Sequence, residues 1–162
     1  MKKNEGRYIT AIFCDDIRHE VGGKMSYMGC YQDEIIVETA PVLLPKLCAF
    51  ISIVTPEERP FESLKIRVVQ DDDVELARMD VPIKGITETN QIFDNTSTRK
   101  TINTAIVFSP FAIEKPTMLR LMAMTEEGEI IGPRILIKVT ATQESAVQPA
   151  KKSKTAKPRT IK

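Results

Sequence analysis

An antiparallel β-sandwich, immunoglobulin-like or C2-like, is the all-β architecture to which this 162-residue chain points. Apolar side chains recur at every second position in runs too short for helices, the spacing of strands covered on one or both faces. Pro41, Pro45, Pro56, Pro60, Pro82, Pro110, Pro116 and Pro133 fall between those runs or at their ends, where a missing amide donor costs least. No stretch makes a convincing amphipathic helix. The best candidate, VELARMDV, has β-branched ends that read equally well as a strand.

About nine strands follow in order. Residues 8–13, 25–31 and 34–37 are short apolar runs set off by polar turns. In residues 46–54 one face carries Leu47, Ala49, Ile51 and Ile53 and the other Cys48, Phe50, Ser52 and Val54, so this strand needs cover on both sides. Residues 63–70 alternate Leu64, Ile66 and Val68 with Lys65 and Arg67, the pattern of a half-exposed strand. Residues 75–81, 101–108, 118–125 and 134–139 complete the set, and Gly128 supplies the positive φ of a hairpin loop before the last of them. The polar stretch 85–100 reads as an exposed loop. Residues 1–142 form one domain, and residues 143–162, poor in anything to bury, form a disordered Lys-rich tail.

Composition narrows the function. Aromatic residues make up 6% and Trp is absent, so stacking on nucleic-acid bases is hard to stage. The formal net charge of +1 conceals a tail at +5, from six basic residues against Glu144, and a body at −4. The tail could give weak, salt-sensitive contact with nucleic acid. Cys14, Cys30 and Cys48 are odd in number and lack CxxC spacing, which favours reduced thiols in the cytoplasm over disulfides or a structural zinc. The apolar run after the basic N-terminus is too short for a signal peptide, and no stretch reaches the length of a membrane span.

The segment FCDDIRHEVGGK, residues 13–24, concentrates the reactive side chains. A Cys14 thiolate with His19 as base and Asp15 or Asp16 orienting it would be a nucleophile pair, but alternation places Cys14 opposite Phe13 and nothing brings His19 back to it. Asp15, Asp16 and Glu20 could join Asp71, Asp72 and Asp73 around a hard cation, if the loops after the first and fifth strands share one end of the sandwich. The preferred reading is a self-organising turn. Asp15 or Asp16 caps a single helical turn through Arg18 and His19, Arg18 pairs with a carboxylate, and Gly22 and Gly23 reverse the chain.

Residues 13–37 resemble a family of small uncharacterised bacterial and phage proteins that carry FCDDIR-x-E-x-x-GK-x-S-x-x-G-x-Y. The matching residues are Phe13, Cys14, Asp15, Asp16, Ile17, Arg18, Glu20, Gly23, Lys24, Ser26, Gly29 and Tyr31. The resemblance implies a β-rich domain and, by analogy, an accessory or host-interaction role in phages and mobile elements; it assigns no catalytic residue.

The expectation is a cytoplasmic, non-enzymatic module without cofactor that binds a host protein or another copy of itself. The binding surface is placed on loops 14–24, 70–74 and 109–117, with Asp15, Asp16, Arg18, His19, Glu20, Lys24, Asp71, Asp72 and Asp73 as its residues. The alternative is a divalent-cation-dependent domain, calcium-binding or hydrolytic, built on the same acidic loops.

Overall fold

The computed structural model describes residues 4–83 and 98–141, and every described element is a strand. In chain order these are β1 (Tyr8–Cys14), β2 (Asp16–His19), β3 (Met25–Met28), β4 (Glu34–Val37), β5 (Val42–Leu44), β6 (Leu47–Pro56), β7 (Leu64–Gln70), β8 (Val74–Asp80), β9 (Arg99–Phe108), β10 (Phe111–Ile113), β11 (Thr117–Thr125) and β12 (Gly128–Val139). They assemble as a three-stranded sheet, β1-β6-β9, a five-stranded sheet, β4-β12-β11-β7-β8, and two small pairs, β2-β3 and β5-β10.

The period of two explains how the larger sheets share one core. From the three-stranded sheet it takes Ile9, Phe13, Leu47, Ala49, Ile51, Ile53, Ile102 and Ile106. From the five-stranded sheet it takes Ile35, Leu64, Ile66, Val68, Leu119, Leu121, Ala123, Ile135 and Ile137. Each fully buried Ile or Leu contributes about 1.5–3 kcal/mol, so this alternation is the main force that sets the register. β6 is buried on its second face as well, through Cys48 and Val54, as its two apolar faces require.

Several expectations need correction. β4 runs parallel to β12, pairing Ile35 with Ile137, so the sheets are not purely antiparallel. β2, β5 and β10 are strands that periodicity overlooked; at three or four residues they hold too few alternations to register. Pro133 lies inside β12, not at its end. There the β11 register skips between Arg120 and Met122, and this bulge removes the need for a proline amide. Its neighbour Gly132 is equally specific: a Cβ there would stand 2.7 Å from both Ile9 Cγ2 and the Leu121 carbonyl oxygen, so the bare backbone lets β1 approach β12. Residues 99 and 100 belong to β9, not to a loop. The rest of the polar stretch and the basic tail lie outside the described residues.

The ends of the domain are distinct. Arg7, just before β1, reaches Glu126 in the β11–β12 turn, and Glu126 accepts from the Glu62 and Ser63 amides ahead of β7. β1 and β7 therefore start at one end. Cys14 and the Asp71–Asp73 turn both lie at the other.

Candidate functional site

β1 ends by entering a loop that is tied shut where it leaves and returns. The Asp15 amide donates to the Met28 carbonyl at 2.9 Å, and the Tyr31 amide donates to the Phe13 carbonyl at 2.8 Å. The Tyr31 hydroxyl donates to the Asp15 carboxylate. Burial first, and then this carboxylate, pushes the Tyr31 phenol well above its ordinary range, so it stays a protonated donor. Gly29 completes the latch at φ +64°: a Cβ there would fall 2.0 Å from Asp15 Oδ2.

Within that latch the chain forms a hairpin. β2 and β3 pair from Asp16 with Met28 to His19 with Met25, and the Glu20 amide donates to the Lys24 carbonyl at 2.8 Å. Gly22 and Gly23, at φ 83° and 73°, make the reversal. The expected helical turn through Arg18 and His19 does not form: both residues lie in β2, because pairing with Met25 and Ser26 satisfies the backbone that a cap would have served. Asp16 is held by Lys46 Nζ at 2.7 Å and by Arg18 Nε at 3.2 Å. Lys46 first and Arg18 second keep its carboxyl below the usual aspartate range. Tyr27 packs on Phe50 with ring centroids 5.1 Å apart, seating the hairpin on the outer face of the three-stranded sheet.

The hairpin tip is bare. Val21 is 96% exposed, and His19, Glu20 and Lys24 are exposed around it. Among the described residues none of these three side chains has a hydrogen-bond or ion-pair partner. The base of the hairpin is fixed by polar and aromatic contacts, while its tip offers an apolar side chain, an acid, a base and an imidazole to solvent.

The geometry does not pair Cys14 with His19. Cys14 is fully buried, and no hydrogen bond joins the two. Burial pushes the Cys14 thiol up to about 11, with the neighbouring Cys48 and Cys30 sulfurs adding to the rise, so it is a poor nucleophile at neutral pH. The Cys48 thiol is also raised, chiefly by burial, and donates to the Asp15 carbonyl at 3.7 Å.

Asp71, Asp72 and Asp73 form the β7–β8 turn, at the same end of the domain as the hairpin base. Asp71 and Asp72 adopt φ 51° and 66°, conformations that short polar side chains tolerate better than most. Asp71 Oδ1 accepts from the Thr117 hydroxyl at 2.8 Å and the Met118 amide at 3.0 Å, and Asp72 Oδ1 accepts from Arg120 Nε at 2.7 Å. The Met118 amide and then Thr117 hold the Asp71 carboxyl below its ordinary range. These side chains fasten β7–β8 to β11 and make no described contact with Asp15 or Asp16. Among the described residues no group of three or more His, Cys, Asp and Glu side chains is placed to hold a metal ion.

Sequence reasoning missed the buried cation at the opposite end. The Arg7 side chain is 1% exposed and stands 2.6 Å from Glu126 Oε1. Its Nε donates to Thr55 Oγ1 at 3.1 Å, and its guanidinium carbon lies 4.7 Å from the Phe61 ring centroid. Nothing local marks an arginine before a strand as buried, since every partner is distant in the chain.

The described molecule is thus an all-β domain with a latched hairpin at the end of its first strand. The model of a family of unknown function, DUF6941, matches residues 9–140, a span that runs from the first strand through the last. The chain belongs to that family. No curated protein matches it. No helix of the described residues is long and apolar enough to cross a membrane.

Proposed function

We propose that the protein is a non-enzymatic binding module that grips another protein with the tip of the β2–β3 hairpin. The observation that carries this reading is the contrast between a fixed base and a bare tip. A hairpin anchored by Asp15, Tyr31, Asp16, Lys46 and Tyr27 loses little conformational entropy on binding. Val21 then supplies apolar area that no described residue covers, rimmed by charges that set orientation. Asp15 and Asp16 position the surface, while His19, Glu20 and Lys24 meet the partner directly; Asp71 and Asp72 serve only their own turn.

The strand order supports a finer assignment of the fold. β1, β6, β7, β8, β9, β11 and β12 take, in chain order, the places of strands A, B, C, C′, E, F and G of an immunoglobulin-like sandwich, with sheets A-B-E and G-F-C-C′. β4 adds a parallel strand beside the last one. Three cysteines without a disulfide suit a reducing cytoplasm, and the resemblance of residues 13–37 to phage and bacterial proteins suits an accessory protein acting on a host partner.

Affinity capture from the native cytosol tests the reading with three baits: the full chain, Val21→Asp, and His19→Ala with Lys24→Ala. The full chain should retain a defined protein that Val21→Asp loses and the double variant holds at least about tenfold more weakly. All three baits should melt at the same temperature, because the tip is exposed. Equal capture by all three would place the interaction elsewhere.

A further inference from the structure

The latch sets cysteines from three neighbouring segments side by side. Cys14 stands opposite Cys48 in the β1–β6 ladder. On its other flank Phe13 is bridged to Tyr31 and Asp16 is paired with Met28, with two residues between on each side. Cys14 therefore falls opposite Cys30, and Asp15 opposite Gly29. Residues opposed across an antiparallel pair project to the same side. Phe13 lies in the core and Tyr31 packs against it, so Cys14 and Cys30 both face the other way.

The backbone hydrogen bonds decide which neighbour Cys14 can join. The Tyr31 amide donates to the Phe13 carbonyl on one side, and the Asp15 amide to the Met28 and Gly29 carbonyls on the other. Cys14 and Cys30 sit between these bonds, in the non-hydrogen-bonded position, where Cα atoms are about 4.5 Å apart and side chains approach most closely. A disulfide spans about 4.4–6.8 Å between Cα atoms. The amide and carbonyl of Cys14 point instead to β6, which makes Cys48 its wider-spaced neighbour. Access separates the pairs too: Cys30 is exposed, whereas Cys14 and Cys48 are both buried.

We propose that Cys30 and Cys14 form a peroxide-responsive pair that closes the latch covalently. The Cys30 thiolate attacks one oxygen of hydrogen peroxide; the O–O bond breaks, Cys30 becomes a sulfenic acid and hydroxide leaves with the proton that the thiol gave up, as water. The Cys14 sulfur then attacks the Cys30 sulfur. An S–S bond forms, the S–O bond breaks, and the hydroxyl departs with the Cys14 proton as a second water. The two thiols lose two electrons and the peroxide gains them. Burial keeps reagents in solution from Cys14 but not Cys30, which the register holds against it. The bond ties residue 14 to residue 30 and fixes the base of the hairpin without touching its tip, so this inference and the hairpin reading stand or fall separately.

Equimolar hydrogen peroxide added to the reduced full chain, followed by alkylation, proteolysis and mass spectrometry, tests the pair. The product should be a Cys14–Cys30 link within one chain, reversed by dithiothreitol, with slower hydrogen exchange in residues 15–31. Cys48→Ala should form the same link. Cys30→Ser should lose the Cys14 thiol at least about tenfold more slowly, and Cys14→Ala should leave a Cys30 sulfenic acid that a cyclic 1,3-diketone traps. Should Cys14→Ala unfold, the link mapped in the parent decides alone. Cys30 passing to sulfinic acid while Cys14 stays reduced overturns the proposal. So does a Cys14–Cys48 link, or a link found only between two chains.

Discussion

At the residue scale, most side chains that looked like chemistry turn out to have mechanical work. Asp15 fills the space that Gly29 leaves open and takes the Tyr31 proton donor; Asp71 and Asp72 tie a turn to β11. Alternation along β1 correctly separates Cys14 from Phe13, one facing the hairpin and the other the core. It could not indicate that all three cysteines gather beneath one hairpin, because that depends on how residues 15–31 fold back. The thiols offer a check. Cys30 is exposed, while Cys14 and Cys48 are buried with raised pKa values. A thiol-reactive reagent at neutral pH should modify Cys30 at once, and Cys14 and Cys48 only as the domain opens. Rapid modification of Cys14 would mean a reactive thiol and would revive the nucleophile reading.

At the element scale, the long strands were legible and the short ones were not. β6, β7, β9 and β11 carry enough alternations to declare themselves, and Gly128, at φ 119°, makes the expected hairpin into β12. β2 was hidden by its residue types, since Asp-Ile-Arg-His reads as a cap and a helical turn until Met25–Met28 arrives to pair with it. The parallel placement of β4 was hidden because its partner lies about a hundred residues away. Two glycine substitutions separate the elements. Gly132→Ala should cost about 2–3 kcal/mol, since the new methyl meets the Leu121 backbone and Ile9 in the core. Gly29→Ala should instead release the latch: Asp15 must move, the left-handed φ is strained, and hydrogen exchange should quicken in residues 15–31 more than in the core. Equal effects of both on the core would show that the hairpin is not a separately anchored unit.

For the whole molecule, charge and pH act at both ends, through Asp16 and Asp71 beside the hairpin and through Glu126 and Glu127 opposite it. Burial alone would raise the Glu126 carboxyl, but its own amide, those of Ser63 and Glu62, and the Arg7 guanidinium overcome it and hold it below its ordinary 4.5. Glu127 is lowered too, first by Arg59. A carboxyl whose pKa falls on folding contributes stability that is complete above its unfolded value and disappears as pH drops through the folded one. The melting temperature should therefore hold steady above about 4.5 and fall below it. Glu126→Gln should cost about 2 kcal/mol near neutral pH, because it leaves Arg7 buried without its nearest counter-charge, and should flatten the acid slope. A variant as stable as the parent, with the same slope, would show that Glu127, Thr55 and the carbonyls of Arg59 and Pro60 satisfy Arg7 without Glu126.

The most direct measurement uses a photo-crosslinking amino acid at position 21 in living cells, with the same group at exposed Ile131 as the comparison. The account predicts one discrete adduct between the position-21 chain and a different protein, and none at 131. Adducts at 131 alone, or the same diffuse products from both positions, would contradict it.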